Sequence, residues 1–156
     1  MYAARKLRKS GVEVVLLNRD IRPGGLAEYG IFHDKYKMKA GLRKQFAKIL
    51  DTDGIHYRGN VTIGRDEVLT IEDLDDLGFD AVLVAVGAQG IKWLKIEGSE
   101  ANHIYDAKQV VYHVNGLPSF SETPIYTGQH LVIIGAGNVA IDVTHWAVQQ
   151  QVPEIT

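Results

Sequence analysis

Two hydrophobic rhythms alternate along these 156 residues. From Tyr2 to Ser10 the apolar Ala3, Ala4 and Leu7 share one side of a helix, while Arg5, Lys6, Arg8 and Lys9 are charged. Gly11 ends that helix as a C′ residue. Val12-Glu13-Val14-Val15-Leu16-Leu17 reads as a strand running into the polar triplet Asn18-Arg19-Asp20. A glycine-rich loop over 21–34 follows. Residues 35–50 return to the helical period, with Met38, Leu42, Phe46, Ile49 and Leu50 inward and Lys37, Lys39, Arg43, Lys44 and Lys48 outward. Ile55-His56-Tyr57-Arg58 and Val61-Thr62-Ile63 are short strands around Gly59-Asn60, and 71–77 form a short acidic helix or turn. Ala81-Val82-Leu83-Val84-Ala85-Val86 has the continuous apolar character of a buried parallel strand and ends at Gly87. A helix is predicted near 106–115, and Asn115-Gly116-Leu117-Pro118 breaks the chain after it. Leu131-Val132-Ile133-Ile134 is a second buried parallel strand. Strands alternating with helices predict the α/β class with parallel pairing.

The last strand runs directly into Gly135-Ala136-Gly137-Asn138-Val139-Ala140, a G-x-G-x-x-G/A turn. Gly135 permits the tight turn, Gly137 lets a pyrophosphate approach the backbone, and Ala140 lets the next helix pack close to the strand. The N–H groups at the start of that helix point at the phosphates. The apolar helix positions Val139, Ile141, Val143, Trp146 and Ala147 supply the context such a turn needs; the bland alternative is a plain strand–turn–helix crossover. A dinucleotide fold places a second strand about 20 residues beyond its glycines, with the group that reads the ribose. Pro153 and Glu154 stand where the turn into it should begin, and Glu154 is rejected as the ribose acid because no strand precedes it. The N-terminal helix and strand likewise read as the second half of a βαβ unit. The chain is thus expected to lack segments at both ends.

Composition adds exclusions. Zero cysteines remove disulfides, thiolate metal sites and thiol redox chemistry from this chain, and a cytoplasmic location is the matching expectation. No run of about 18 apolar residues is present, so no spanning helix and no membrane role is expected. His33, His56, His103, His113, His130 and His145 have no metal-like spacing, and no metal is expected. The net charge of −2 hides an asymmetry: residues 1–50 hold 12 Lys/Arg against 4 Asp/Glu, and the rest hold 5 against 15. The basic half carries no recognised nucleic-acid motif and no aromatic platform, which argues against nucleic acid. An acidic protein partner and a simple solvated helix face both remain open.

Five blocks in order carry a family resemblance. Arg22-Pro23-Gly24-Gly25-Leu26-Ala27-Glu28-Tyr29-Gly30-Ile31 resembles the P-G-G-L-x-x-Y-G-I signature of the glutamate synthase small-subunit family. Gly59-Asn60-Val61-Thr62-Ile63-Gly64-Arg65-Asp66, Ala85-Val86-Gly87-Ala88-Gln89, Asn115–Pro118 and Gly135–Asp142 resemble the adrenodoxin reductase and ferredoxin–NADP⁺ reductase branch. The resemblance implies parts of two Rossmann-like dinucleotide-binding domains: an FAD domain lacking its first strand, with linker, over 1–119, and the start of an NAD(P)H domain over 120–156. It implies a flavoprotein that passes electrons from NADPH through FAD to an iron–sulfur acceptor such as a ferredoxin. The alternatives are a non-catalytic nucleotide-binding fragment or a glutamate synthase-like electron-input subunit.

By the same resemblance Asn18, with Arg19 beside it, would meet the FAD ribose where the family has Glu. Gly25 and Leu26 would contact the flavin nucleotide, Val61 would offer backbone groups to the adenine, and Gly87 would leave room for FAD. Gly135, Ala136, Gly137, Asn138 and Val139 would bind the NADP(H) pyrophosphate, with NAD(H) not excluded. Lys35 stands where the adrenodoxin reductase branch has His; His33 is expected to be solvated and Asp34 to cap a helix. Asp142 is expected in the first turn of the last helix as a structural acid meeting the helix dipole. Trp93 and Trp146 are expected to pack. No acid–base pair is assigned, because hydride transfer needs the nicotinamide and flavin stacked, not a protein acid. Segments outside the chain, or a partner chain supplying them, would be needed for catalysis, and the isolated chain is expected to hold FAD weakly or not at all.

Overall fold

The computed structural model describes every residue except Asp66, Val68, Gln89 and Thr123. Asp66 and Gln89, which close two of the motif blocks, therefore lie outside the described residues. The chain forms two compact units: Met1–Glu28 with Lys37–Gln89, and Tyr29–Tyr36 with Gly90–Thr156. The expected domain boundary at 119/120 falls inside the second unit.

In the first unit, helix α1 (Tyr2–Lys9) precedes strand β1 (Val14–Leu17), and the long helix α2 (Tyr36–Leu50) leads to β2 (Ile55–Arg58). β1 and β2 pair in parallel, Val14 opposite Ile55 through Leu17 opposite Arg58. Helix–strand amphipathicity explains the core: Ala4, Phe46, Ile49 and Ile55 are buried together, with Val14, Leu16, Leu42 and Leu50 packed around them. Helix α3 (Ile71–Asp76) starts at a capping box, Thr70 accepting from the Asp73 N–H and Asp73 accepting from Thr70. Three expectations for this unit need correction. Val61-Thr62-Ile63 contributes one isolated parallel bridge, Ile63 to Leu69, instead of a strand. No named strand covers 81–86, and Leu83 and Val84 are 64% and 68% exposed. Within α2, Met38 is exposed and Lys39 is buried, the reverse of the amphipathic assignment.

The second unit is built on α4 (Ala107–Val114), the four-residue helix α5 (Pro118–Ser121), β3 (His130–Leu131), α6 (Asn138–Gln149) and β4 (Glu154–Ile155). Asp106 caps α4 in a second capping box with Gln109. The core sets Phe32 against Val110, Val111, Val143, Trp146 and Ala147. β3 and β4 are parallel, and the Ile133 N–H donates to the Thr156 carbonyl at 2.7 Å, so β3, α6 and β4 form a βαβ unit. A short strand therefore follows α6, and no strand lies between α6 and Glu154, in keeping with its rejection as the ribose acid. Glu154 opens that strand instead of ending it. The 131–134 stretch is covered on one face only. Leu131 and Ile133 pack on the core, while Val132 and Ile134 are 59% and 71% exposed. The motif residue Asn115 does more than break the chain: its side-chain amide donates to the carbonyls of Tyr29 and Ile31 at 2.7 and 2.9 Å. No helix of the described residues is long and apolar enough to cross a membrane.

Candidate functional site

The glycine turn of the second unit has the geometry its sequence requires. Gly135 adopts φ +146°, a backbone that disfavours side chains, and a Cβ there would sit 3.5 Å from the Ala140 Cβ. That is ordinary van der Waals distance, so the strand end and the first turn of α6 lie side by side at Ala140. Gly137 is the N-cap of α6 at φ −85° and ψ 174°, with no side-chain cap bond. A Cβ added at Gly137 would meet nothing within 4 Å. The space in front of the helix N-terminus is thus open, and Gly135 to Val139 are all exposed. Anchoring comes from the far side of α6, where Val143, Trp146 and Ala147 are buried. A pyrophosphate at this turn would meet backbone N–H groups and a positive helix end, with open space at Gly137.

The first unit holds the other sequence-assigned residues. Asn18 follows β1, and its side-chain amide nitrogen donates to the Asp20 carbonyl at 3.0 Å, to Tyr57 Oη at 3.0 Å and to the Arg22 carbonyl at 3.3 Å. Its donors are committed to the loop, so a ribose hydroxyl would meet the Oδ1 acceptor. Arg19 is turned to the neighbouring Asp20, Nε to Oδ1 at 3.4 Å. The Val61 N–H donates to the Asn18 carbonyl at 3.0 Å, which leaves the Val61 carbonyl as its backbone group for an adenine. Gly25 (φ +52°) and Gly87 (φ +71°) both occupy the left-handed region, and a Cβ at either would meet nothing within 4 Å. Leu26 is 71% exposed beside Gly25.

Two charge groups lay outside the sequence reading. Glu28, 5% exposed, accepts from Arg43 Nε and Nη2 at 2.7 and 2.5 Å and from Arg22 Nη1 at 3.4 Å. Hydrogen bonds from Arg43 hold its carboxyl below the usual carboxylate range, against the opposing effect of burial. Buried Lys39 has its ammonium pushed down chiefly by desolvation, with Glu28 acting the other way. In the second unit Lys35 Nζ donates to both oxygens of Asp142 at 2.7 Å. His145 Nδ1 lies 3.4 Å from Asp34 Oδ2. Asp34 sits inside a 3₁₀ turn, His33–Lys35, so it is not the N-cap expected of it. Asp142 is the fifth residue of α6, one turn further in than expected. Among the described residues no cluster of three His, Asp or Glu side chains could hold a metal.

The family model for pyridine nucleotide-disulphide oxidoreductases matches residues 1–155. The chain belongs to that family. Within it, the resemblance to the adrenodoxin and ferredoxin reductases holds. The chain is 34% identical over 146 residues to mitochondrial NADPH:adrenodoxin oxidoreductase of Arabidopsis thaliana, covering 91% of this chain and 29% of the relative. It is 36% identical to NADPH-ferredoxin reductase FprA of Mycobacterium leprae, covering 92% and 31%. The solved structure of Mycobacterium tuberculosis FprA in complex with NADPH superposes with a TM-score of 0.80 at 33% identity, over 92% of this chain and 32% of that one. A histidine-to-glutamine variant of the same protein gives 0.81. The fold is thus Rossmann-type α/β, and the chain spans about a third of the length of these relatives. Despite the family's name, the absence of cysteine leaves this chain without disulfide chemistry of its own.

One signal in the sequence points to the Glu28 group. Lys39 and Arg43 are four residues apart on one helix face, an unfavourable like-charge pair unless an anion faces them. Nothing local in the sequence links Lys35 to Asp142, 107 residues away.

Proposed function

We propose that the chain is the nucleotide-handling part of an FAD-dependent NADPH oxidoreductase that feeds electrons to an iron–sulfur acceptor of ferredoxin type. The observation that carries this reading is the open glycine turn over α6, with φ +146° at Gly135 and free space at Gly137, in a family of pyridine-nucleotide enzymes. Residues 120–156 belong to the NADP(H) side, with Gly135, Ala136, Gly137, Asn138 and Val139 around the pyrophosphate. Residues 1–119 belong to the FAD side, with Asn18, Gly25, Leu26, Val61 and Gly87 toward the flavin nucleotide and Arg19 at its edge. FAD held by the residues of 1–119 would supply the hydride acceptor for NADPH and the single-electron donor for the acceptor protein, while the chain's own part would be binding and orientation. The relatives' names, NADPH:adrenodoxin oxidoreductase and NADPH-ferredoxin reductase, support the acceptor class.

A second reading, a nucleotide-binding module without catalysis of its own, rests on Asn18, whose amide donors are committed within the chain instead of being free for a flavin ribose. The visible spectrum separates the two. The protein is mixed with FAD, passed through gel filtration and then given NADPH with a ferredoxin under anaerobic conditions. Retained flavin bands that bleach on NADPH and return as ferredoxin is reduced support the reductase. NADP⁺ binding without retained flavin supports the module. Neither flavin nor nucleotide binding overturns both.

A further inference from the structure

α6 offers its positive end to a ligand, yet it carries an acid at its fifth position. Asp142 lies about 8 Å along the axis from Gly137, given a rise of about 1.5 Å per residue. A carboxylate there, about 8 Å from the turn, repels an incoming phosphate through space. The structure answers that repulsion with one side chain: Lys35 Nζ spans both Asp142 oxygens at 2.7 Å, with the two side chains 39% and 23% exposed. A second contact lies beside it. Asp34 and Lys35 are adjacent in one 3₁₀ turn, and their partners His145 and Asp142 are three apart on one face of α6. Taking Lys35 away would leave two carboxylates, Asp34 and Asp142, behind the phosphate turn with His145 as the remaining basic group against them.

We propose that Lys35 is a positioning residue of the nucleotide site: it cancels the charge of Asp142 and so keeps the N-terminus of α6 attractive to a dinucleotide pyrophosphate. This rests on the reading of the glycine turn given above. Lys35 need not touch the nucleotide; it acts through Asp142.

The test is calorimetric titration of NADP⁺ into the parent chain and into Lys35→Met, Lys35→Arg, Asp142→Asn and the double variant Lys35→Met/Asp142→Asn. At low salt, Lys35→Met is expected to bind about three- to tenfold more weakly, from one uncompensated charge in a mostly aqueous setting. That loss should shrink in about 1 M salt, where the screening length is about 3 Å. Lys35→Arg should keep the parent affinity, Asp142→Asn should bind as tightly as the parent or tighter, and the double variant should recover what Lys35→Met loses. Equal binding by Lys35→Met and the parent overturns the inference. So does a loss that persists in the double variant and in high salt, because that marks a structural role. If Lys35→Met loses its cooperative melt, Asp142→Asn alone decides, since weaker binding there contradicts charge compensation. Failure of the parent to bind NADP⁺ overturns the nucleotide-site reading and this inference with it.

Discussion

In the first unit Glu28 is 5% exposed, gripped by Arg43 and surrounded by the further positive charges of Arg22 and Lys39. In the second unit the main core is apolar, Phe32 against Trp146 and Ala147, and the Lys35–Asp142 pair lies at the surface. The same chemistry, a carboxylate held by a cation, has different consequences in the two places. Inside, desolvation makes the loss of a partner costly and ties stability to pH. At the rim, water screens the pair, so its stability contribution is small and its value lies in the field it sets up beside the phosphate turn.

The largest effects should come from the apolar side of this comparison. Phe32→Ala removes a ring that is 1% exposed and should cost about 3–5 kcal/mol. Hydrogen exchange of the α4 and α6 amides reads it, and unchanged protection would mean that Phe32 does not organise that core. Next comes the buried charge. Glu28→Gln should cost about 1–3 kcal/mol, less than a fully buried pair because Arg43 is half exposed.

The pH dependence sharpens the contrast. Glu28 has a folded-state pKa below its ordinary 4.5, so its contribution is complete above that value and is lost as pH falls through the lower, folded one. Lys39 is also depressed, from an ordinary 10.5, but as a base. Folding disfavours its charged form, so stability attributable to Lys39 rises as pH climbs from the folded pKa toward 10.5. Lys39→Met should abolish that alkaline rise, and Glu28→Gln the acid loss; urea titrations across pH check both. The smallest effect is local: Asp106→Ala removes the side-chain half of the α4 cap and should cost about 1 kcal/mol in thermal unfolding.

What the sequence made legible was periodic or local. The helices α1 and α2 follow from spacing of about 3.6, and the glycine turn with the helix after it follows from the six consecutive residues Gly135 to Ala140. What it hid depended on distant neighbours. An apolar run such as 81–86 or 131–134 states that burial would be favourable, not that a second layer covers both faces; Ile133 is covered and Ile134 is not. Lys39 was placed outward because charge normally faces water, and only the fold reveals the buried Glu28 eleven residues earlier. Asn18 was assigned from its position at a strand end, but its amide donors are taken by Tyr57 and two carbonyls of the following loop. β4 escaped notice because two residues are too few for alternation to register.

Gly137→Val offers the most direct measurement. Gly137 sits at φ −85°, a conformation valine accepts, and an added Cβ meets no protein atom within 4 Å. The substitution therefore fills the space assigned to the pyrophosphate without straining the fold, as Gly135 with its φ of +146° would not permit. Titrated with NADP⁺, the parent should bind saturably, and Gly137→Val should bind at least about tenfold more weakly while keeping a cooperative melt lowered by only a few degrees, the cost of a poorer N-cap. Equal binding by the two proteins would contradict the account, because the open turn would then not be where the nucleotide sits.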